Sequence, residues 1–163
     1  MYFEMLLWDD EAEVVEMSEM ATTIIKDYYD PIIGPEQNDY MIKMFQSVDA
    51  LKEQLEKGYR YYFIREDDRN IGFVAFYPRD KALYLSKLYL YKDERGKGYA
   101  KGILDFLKTQ ASELGLSRIE LNVNKHNDTR FIYEKLGFEI AWAEKNDIGN
   151  GFYMDDYVYA LEF

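Results

Sequence analysis

Residues 88–101 read LYLYKDERGKGYAK and contain the features that decide the fold. The residues up to Leu90 are apolar and aromatic, which predicts a strand, and Gly96 and Gly98 predict a tight turn. After the turn, apolar residues recur at helical spacing. A strand, a glycine turn and a helix in this order place unpaired backbone N–H groups and the positive end of a helix dipole beside the turn. The segment therefore predicts an anion site.

The charge of this region is opposite to that of the whole chain. The chain has 20 Lys and Arg against 31 Asp and Glu, a formal net charge of −11. Between Lys87 and Lys101, in contrast, five cations oppose only Asp93 and Glu94. The local reversal supports an anion site at the turn. The acidity of the chain as a whole predicts no nucleic-acid partner, because binding to a phosphate backbone depends largely on cations.

Three phosphate-binding motifs compete for the turn. A Walker loop requires Ser or Thr after Gly-Lys, but Gly98 follows Lys97. A dinucleotide fingerprint requires Gly-x-Gly-x-x-Gly, but the glycine after Gly98 is Gly102, one position late. The pattern Arg/Gln-x-x-Gly-x-Gly/Ala is met at every fixed position of residues 95–100. A plain helix start with surface lysines is the structural alternative.

The rest of the chain predicts one mixed sheet with helices, an α+β (mixed α/β) fold. The unit of strand 82–90, helix 99–114 and strand 118–123 is a βαβ crossover, so its two strands are predicted to be parallel. Pro31, Gly34 and Pro35 are predicted to end the first helix, which begins after Asp9 and Asp10. The other predicted elements are strands 1–8, 59–65, 71–77, 138–143 and 153–162, and helices 36–45, 47–57 and 128–136.

Composition excludes several classes of protein. The 163 residues predict one domain, 1–163. Cysteine is absent, which rules out disulfides, thiolate nucleophiles, zinc fingers and iron–sulfur clusters, and no metal site is predicted. No stretch approaches the roughly 20 apolar residues that a membrane span needs, and the N-terminus lacks a signal-peptide pattern. We therefore expect a cytoplasmic protein with no membrane partner.

Two segments together resemble the GNAT superfamily of N-acetyltransferases. Residues 95–100 look like its acetyl-CoA pyrophosphate motif. Residues 121–138, LNVNKHNDTRFIYEKLGF, are similar to its downstream motif of strand, Asn, short helix and Tyr-x-Lys-x-Gly-Phe. Arg130 departs from the family, which usually has a small residue there. The resemblance implies a mostly antiparallel sheet of about seven strands with a splayed parallel pair, flanked by about four to five helices.

The resemblance also implies acetyl-CoA as the cofactor and assigns its contacts. The backbone of Leu88 and Leu90 would pair with the pantetheine arm, which Asn127 would also contact. Tyr133 would act as the catalytic acid that protonates the departing thiolate. The implied diphosphate-binding residues are Arg95, Gly96, Lys97, Gly98, Tyr99, Ala100 and Lys101.

Acetyl transfer to an amine requires a base, which the sequence leaves open. An ammonium with a pKa of about 10.4 needs roughly 4.6 kcal/mol to deprotonate at pH 7. Candidate bases are Asp155, Asp156, Tyr84 and His126, acting directly or through water. Because the chain has no Cys, a cysteine-linked acyl-enzyme is excluded, and direct transfer in a ternary complex is expected.

The acceptor is predicted to be a small cationic amine such as a polyamine. The acidic net charge favours it, and residues 147–157 look like the tail of the bacterial spermidine/spermine N-acetyltransferase branch. The alternative for that tail is an ordinary hairpin with a solvated Asp pair. Peptide or protein amino groups, and a CoA-binding regulatory module without turnover, are alternative functions, and a homodimer is a further hypothesis. The candidate substrate-binding residues are Glu36, Asp39, Tyr84, Asp155 and Asp156.

Overall fold

The structure is a computed structural model that describes all residues from Met1 to Phe163. It contains seven strands and five α-helices: β1 (Tyr2–Met5), α1 (Glu11–Ile33), α2 (Pro35–Gln46), α3 (Val48–Glu56), β2 (Arg60–Glu66), β3 (Arg69–Arg79), β4 (Ala82–Leu90), α4 (Tyr99–Glu113), β5 (Arg118–Asn124), α5 (Thr129–Lys135), β6 (Glu139–Gly149) and β7 (Phe152–Glu162). The strands hydrogen-bond in the order β1-β2-β3-β4-β5-β7-β6.

The sheet is mixed, as predicted. β4 and β5 run parallel, whereas β1–β2, β2–β3, β5–β7 and β6–β7 are antiparallel. The parallel pairing runs only from Leu83 with Ile119 to Leu85 with Leu121, although both strands continue. The predicted mixed α/β class with one parallel pair is confirmed.

The chain divides into two compact units, and the first comprises residues 1–77 and 87–98. Its core lies between α1 and the strands β2 and β3. Residues at helical spacing on α1, including Val14, Met17 and Ile24, pack with Phe63 and Phe73. Both groups are fully or almost fully buried. The predicted amphipathic stripe of the first helix therefore builds this core.

The second unit comprises residues 78–86 and 99–163. The apolar face of α4, including Ile103 and Leu107, is buried. On β5 buried and half-buried residues alternate, with Leu121 buried and Asn122 on the opposite face. The face of β5 that carries Asn122 is therefore available to polar side chains, and part of the candidate site lies on it.

The first helix continues past Pro31, so the prediction that Pro31 ends it is wrong. Proline lacks an N–H, so the helix lacks the one hydrogen bond that residue 31 would donate to the Asp27 carbonyl. Asp30 is held by the amide of Asn38 at 2.8 Å and the ammonium of Lys26 at 3.1 Å. The backbone N–H of Gly34 then donates to the Asp30 carbonyl at 3.0 Å, and the helix ends where Gly34 takes φ 90°.

Two predicted strands differ from the structure by three or more residues at one end. β1 is shorter than 1–8, and β6 extends beyond 138–143 to Gly149. The extension is polar, so no apolar alternation marks it; its pairing with β7 across the turn at Asn150 and Gly151 makes it a strand. The turn at Asn150 and Gly151 joins β6 and β7 into a hairpin, as one reading of residues 147–157 predicted. None of the five α-helices contains a stretch long and apolar enough to cross a bilayer.

Candidate active site

The glycine turn follows β4 and leads directly into α4. A 3-10 turn, Lys92–Glu94, comes first. Gly96 and Gly98 then take φ of 75° and 84°, values that other residues adopt only with strain. A Cβ at either position would meet no atom within 4 Å, so the space beside both glycines is open. Because α4 begins at Tyr99, the N–H groups of its first turn lack intrahelical partners. The turn therefore meets the backbone requirements of an anion site.

Arg95 anchors the start of this turn. Its Nε donates to the Leu90 carbonyl at 3.2 Å, and its guanidinium lies 4.4 Å from the centre of the Tyr28 ring. Leu88 and Leu90 are half-buried on β4. Of the backbone groups predicted to meet the pantetheine arm, the Leu90 carbonyl thus already has a partner within the chain.

Lys87 does not contribute a cation to the turn. It is 6% exposed, and its Nζ donates to the Phe45 carbonyl at 2.6 Å, Gln46 Oε1 at 2.8 Å and Gln54 Oε1 at 3.0 Å, and also contacts the Tyr61 hydroxyl. Burial lowers the pKa of the Lys87 ammonium well below its ordinary value. Counting Lys87 among the cations of the predicted anion site was therefore wrong, because its side chain points into the interior.

Asn127 and Tyr133 are placed by the short helix α5. Asn127 is buried, and its Oδ1 accepts a hydrogen bond from the Thr129 N–H at 2.9 Å, which forms a turn just before the N-cap residue Asp128. Tyr133 is half-buried, with its ring edge-to-face against Phe138 at 5.5 Å between centroids. The Asn127 side chain that was predicted to contact the cofactor arm thus also shapes the helix that carries Tyr133.

A polar tether holds α5, which has no buried residue. The Tyr159 hydroxyl on β7 donates to Glu134 Oε2 at 2.6 Å. Arg130, the departure from the family pattern, lies with its guanidinium 5.5 Å from the centre of the Tyr157 ring. A long side chain is accommodated at position 130 because it stacks over an aromatic ring of β7.

Asn122 joins three other side chains into one hydrogen-bonded network. Its Oδ1 accepts from the Tyr84 hydroxyl at 2.8 Å, and its Nδ2 donates to Glu144 Oε1 at 2.8 Å and to Asp156 Oδ2 at 3.2 Å. The strand register produces this arrangement, since Glu144 lies opposite Asp156 and both share the face of Asn122. Tyr84 and Asp156, predicted separately from the sequence, are therefore linked through a residue that the sequence reasoning did not select.

The pKa values of the two carboxylates in this network, Asp156 and Glu144, are shifted in opposite directions. Burial raises the pKa of Asp156, which is 3% exposed, and the neighbouring Glu144 adds to the rise. Hydrogen bonds from Asn122 and Trp142 lower the pKa of Glu144. Relative to ordinary carboxylates, the proton is therefore held more tightly at Asp156 and less tightly at Glu144.

The other predicted acceptor residues and the candidate base His126 are not members of this network. Asp155 is the neighbour of Asp156 on β7, so its side chain points to the opposite face, where it pairs with Lys125 at 3.0 Å. His126 is exposed. On α2, Glu36 is exposed in the first turn, and Asp39 pairs with Lys26 at 2.8 Å.

A comparison with protein families decides the assignment. Residues 29–159 match the family described as acetyltransferase (GNAT) domain. The chain belongs to the GNAT acetyltransferase family. The match contains both motifs, the glycine turn and the segment with Tyr133, and the resemblance drawn from them is confirmed.

Individual GNAT proteins are similar over parts or all of the chain. "Uncharacterized N-acetyltransferase YycN" of Bacillus subtilis (strain 168) is 39% identical over 64 residues, which are 39% of this chain and 40% of that protein. The [ribosomal protein bS18]-alanine N-acetyltransferase of Haemophilus influenzae is 30% identical over 61% of this chain and 68% of its own length. The crystal structure of PaiA N-acetyltransferase from Thermoplasma acidophilum, in complex with coenzyme A, has a TM-score of 0.78 at 20% identity and covers all of both chains.

The GNAT motifs alone did not reveal three residues that the structure adds to the candidate site. Asn122 joins Tyr84 and Glu144 to Asp156, and elsewhere Arg69 binds the Glu94 side chain just before the glycine turn. A period-two analysis of the strand around Asn122 would have placed it on the polar face. Nothing in the local sequence connects Arg69 with Glu94, because 25 positions separate them.

Proposed function

We propose that residues 1–163 form a single acetyl-CoA-dependent N-acetyltransferase domain that transfers acetyl to a primary amine directly, in a ternary complex. One observation carries the proposal. Within the matched GNAT region, Gly96 and Gly98 adopt left-handed conformations beside open space, immediately before α4 begins. A diphosphate fits such a turn because the backbone can approach it without side-chain hindrance.

The chain's own residues provide the cofactor contacts in this proposal. Acetyl-CoA, when bound, supplies the acetyl group as an activated thioester. The N–H groups of the turn and of the first turn of α4 hold the diphosphate, with Arg95 anchoring the turn and with Lys97 and Lys101 exposed beside it. The backbone of Leu88 and Leu90 aligns the pantetheine arm, and Asn127 completes these contacts.

Proton transfer is assigned to two residues. Asp156 is assigned as the base among the four candidates, because burial raises its pKa and Asn122 orients its carboxylate. Tyr133 carries a hydroxyl on a half-buried ring and is the acid that protonates the thiolate. With no Cys in the chain, the amine attacks the thioester itself.

A small cationic amine, such as a polyamine, is the proposed acceptor. The network of Asn122 places Glu144 beside Asp156, and a carboxylate pair suits an ammonium group. Tyr84 supplies an aromatic hydroxyl to the same network. Asp155 pairs with Lys125 on the opposite face of β7, and Glu36 and Asp39 lie on α2, so in this proposal these three carboxylates add only to the overall negative charge that attracts a cation.

A peptide α-amino group is the second candidate acceptor. One specific observation favours it: the Haemophilus influenzae relative, matched over 68% of its length, is named for acetylating the alanine of ribosomal protein bS18. The two candidates differ in the charge of the acceptor, since a polyamine brings several ammonium groups and an N-terminus brings one.

The test is thiol release from acetyl-CoA with spermidine, spermine, small monoamines and short peptides as acceptors. Release with polyamines alone supports the first acceptor, and release with peptides alone supports the second. Cofactor binding without release from any acceptor would overturn the enzymatic proposal in favour of a regulatory module. The variant Gly98→Glu is expected to abolish cofactor binding, because it adds a side chain and a negative charge at a position with φ 84°. Normal affinity of this variant would refute the assignment of the turn.

A homodimer is proposed as well. Large apolar side chains remain exposed on the second unit, including Phe131 and Ile132 on α5 and Ile140 and Trp142 on β6. Burying such surface between two copies would stabilise an association. Light scattering during size-exclusion chromatography measures the mass in solution, and a monomer at all concentrations would contradict the proposal.

A further inference from the structure

Glu94 places a negative charge at the entrance of the proposed diphosphate loop. Its side chain is 11% exposed, and its Oε2 lies 3.2 Å from the ammonium of Lys97, the lysine between the two glycines. An unbalanced carboxylate there would oppose an anionic ligand in two ways. It would repel the diphosphate, and it would occupy the ammonium that the diphosphate needs.

Arg69, the first residue of β3, balances this charge. Its Nε donates to Glu94 Oε1 at 2.8 Å and its Nη2 donates to Glu94 Oε2 at 3.2 Å, a bidentate arrangement that satisfies both oxygens. The hydrogen bond from Arg69 is the main reason that the pKa of Glu94 falls to about 2. Glu94 is therefore ionised at neutral pH, and its charge is shared mainly with Arg69, while Lys97 is held at one oxygen only and stays about half exposed.

The backbone of the same segment is fixed to β3 as well. The N–H of Tyr91 donates to the Ile71 carbonyl at 3.0 Å, and the N–H of Glu94 donates to the Tyr91 carbonyl at 2.9 Å. The ion pair of Arg69 with Glu94 thus joins a segment whose backbone already has an anchor on the same strand. Losing the Arg69 side chain would therefore change the charge at the turn more than its path.

We propose that Arg69 is a positioning residue for the diphosphate of coenzyme A. It neutralises Glu94 and so leaves the Lys97 ammonium available to the ligand. Arg69 acts through Glu94 and Lys97 and lies outside the glycine motif. The inference rests on the proposed function, because it assigns a supporting residue to the same cofactor loop.

The test compares coenzyme A with pantetheine, which has the same thiol arm without the diphosphate. Arg69→Met leaves Glu94 with Lys97 as its main partner, so the Kd for coenzyme A is expected to rise by roughly tenfold, the loss of about one charge-assisted contact. The Kd for pantetheine is expected to stay unchanged, as measured by calorimetry. Arg69→Lys keeps the charge and is expected to retain most of the affinity.

A double variant separates charge balance from structure. Arg69→Met combined with Glu94→Gln removes both partners, so coenzyme A affinity is expected to return to within about twofold of wild type. Equal weakening for pantetheine and coenzyme A, or no recovery in the double variant, would overturn the positioning role. Wild type that fails to bind coenzyme A would overturn the proposed function and this inference with it. Normal binding by Arg69→Met would overturn this inference alone.

Discussion

Replacing Lys87 by methionine tests how much the hydrogen bonds of its buried ammonium stabilise the first unit. Methionine has nearly the length of lysine and is uncharged, so it removes the ammonium without opening a large cavity. In the native chain the Nζ donates to the Phe45 carbonyl and to the side-chain oxygens of Gln46 and Gln54. The change therefore isolates the contribution of these hydrogen bonds to stability.

The expected loss of stability depends on which oxygens are left without a hydrogen-bond donor. Gln54 Oε1 keeps the Tyr61 hydroxyl as a donor and the Phe45 carbonyl keeps the Gln54 Nε2 donor at 3.0 Å, so Gln46 Oε1 is the acceptor that loses its partner. A buried acceptor left unpaired costs about 1–3 kcal/mol. Removing a buried amine recovers part of its desolvation cost, which the lowered pKa of Lys87 reports. We expect Lys87→Met to lower the free energy of unfolding by about 1–2 kcal/mol.

Urea unfolding followed by circular dichroism measures this effect. With a slope of about 2 kcal/mol/M, the urea midpoint is expected to fall by about 0.5–1 M. The matched control is Lys81→Met, at an exposed lysine in the turn before β4, which should leave the midpoint unchanged. A midpoint for Lys87→Met equal to that of wild type would show that the oxygens gain nothing from the ammonium, and would refute the reasoning.

Three other predictions concern strand packing, pH dependence and chemistry. Gly72→Ala is expected to lower stability by about 1–3 kcal/mol, because its Cβ would lie 2.1 Å from the Tyr89 carbonyl oxygen; an unchanged urea midpoint would contradict this close approach. Asp156→Asn is expected to be more stable than wild type at pH 7, with a difference that shrinks as the pH falls below the raised native pKa of Asp156 towards its ordinary value. The reason is that the native state binds the proton more tightly than the unfolded state, so wild type loses stability as the pH rises through that range; unfolding at a series of pH values checks the sign, and a difference independent of pH would contradict it. Tyr133→Phe is expected to lower kcat by about 10²–10⁴-fold with little change in the Kd for acetyl-CoA, and an unchanged kcat would remove Tyr133 from the mechanism.

Local patterns were sufficient for most of the fold. The strand at Ala82–Leu90 has the predicted bounds, and the crossover rule assigned its parallel partner, because a βαβ unit allows few arrangements. Pro31 shows where local rules fail. Its effect on the helix depended on how Asn38 and Lys26 hold Asp30, and such contacts are not visible in the spacing of apolar residues.

The candidate site was predictable only where a short motif contains it. Gly96 and Gly98 are necessary for a particular backbone path, so their spacing carries the information. Lys87 looks the same in sequence as an exposed lysine, and its burial depends on two helices and a strand that meet its ammonium. The roles of Asn122 and Arg69 depend on strand register and on a distant ion pair, so three-dimensional contacts were needed to find them.

The weak apolar anchoring of α5 has a consequence for motion. The helix has seven residues, none of them buried, and the hydroxyl of Tyr159 ties it to β7 through Glu134. Segments with little buried apolar surface open at lower free energy than the rest of a protein. The backbone amides of α5 should therefore exchange with deuterium sooner than those of α4, which buries Ile103 and Leu107. Tyr133 would then leave and regain its place through local unfolding while the sheet remains intact.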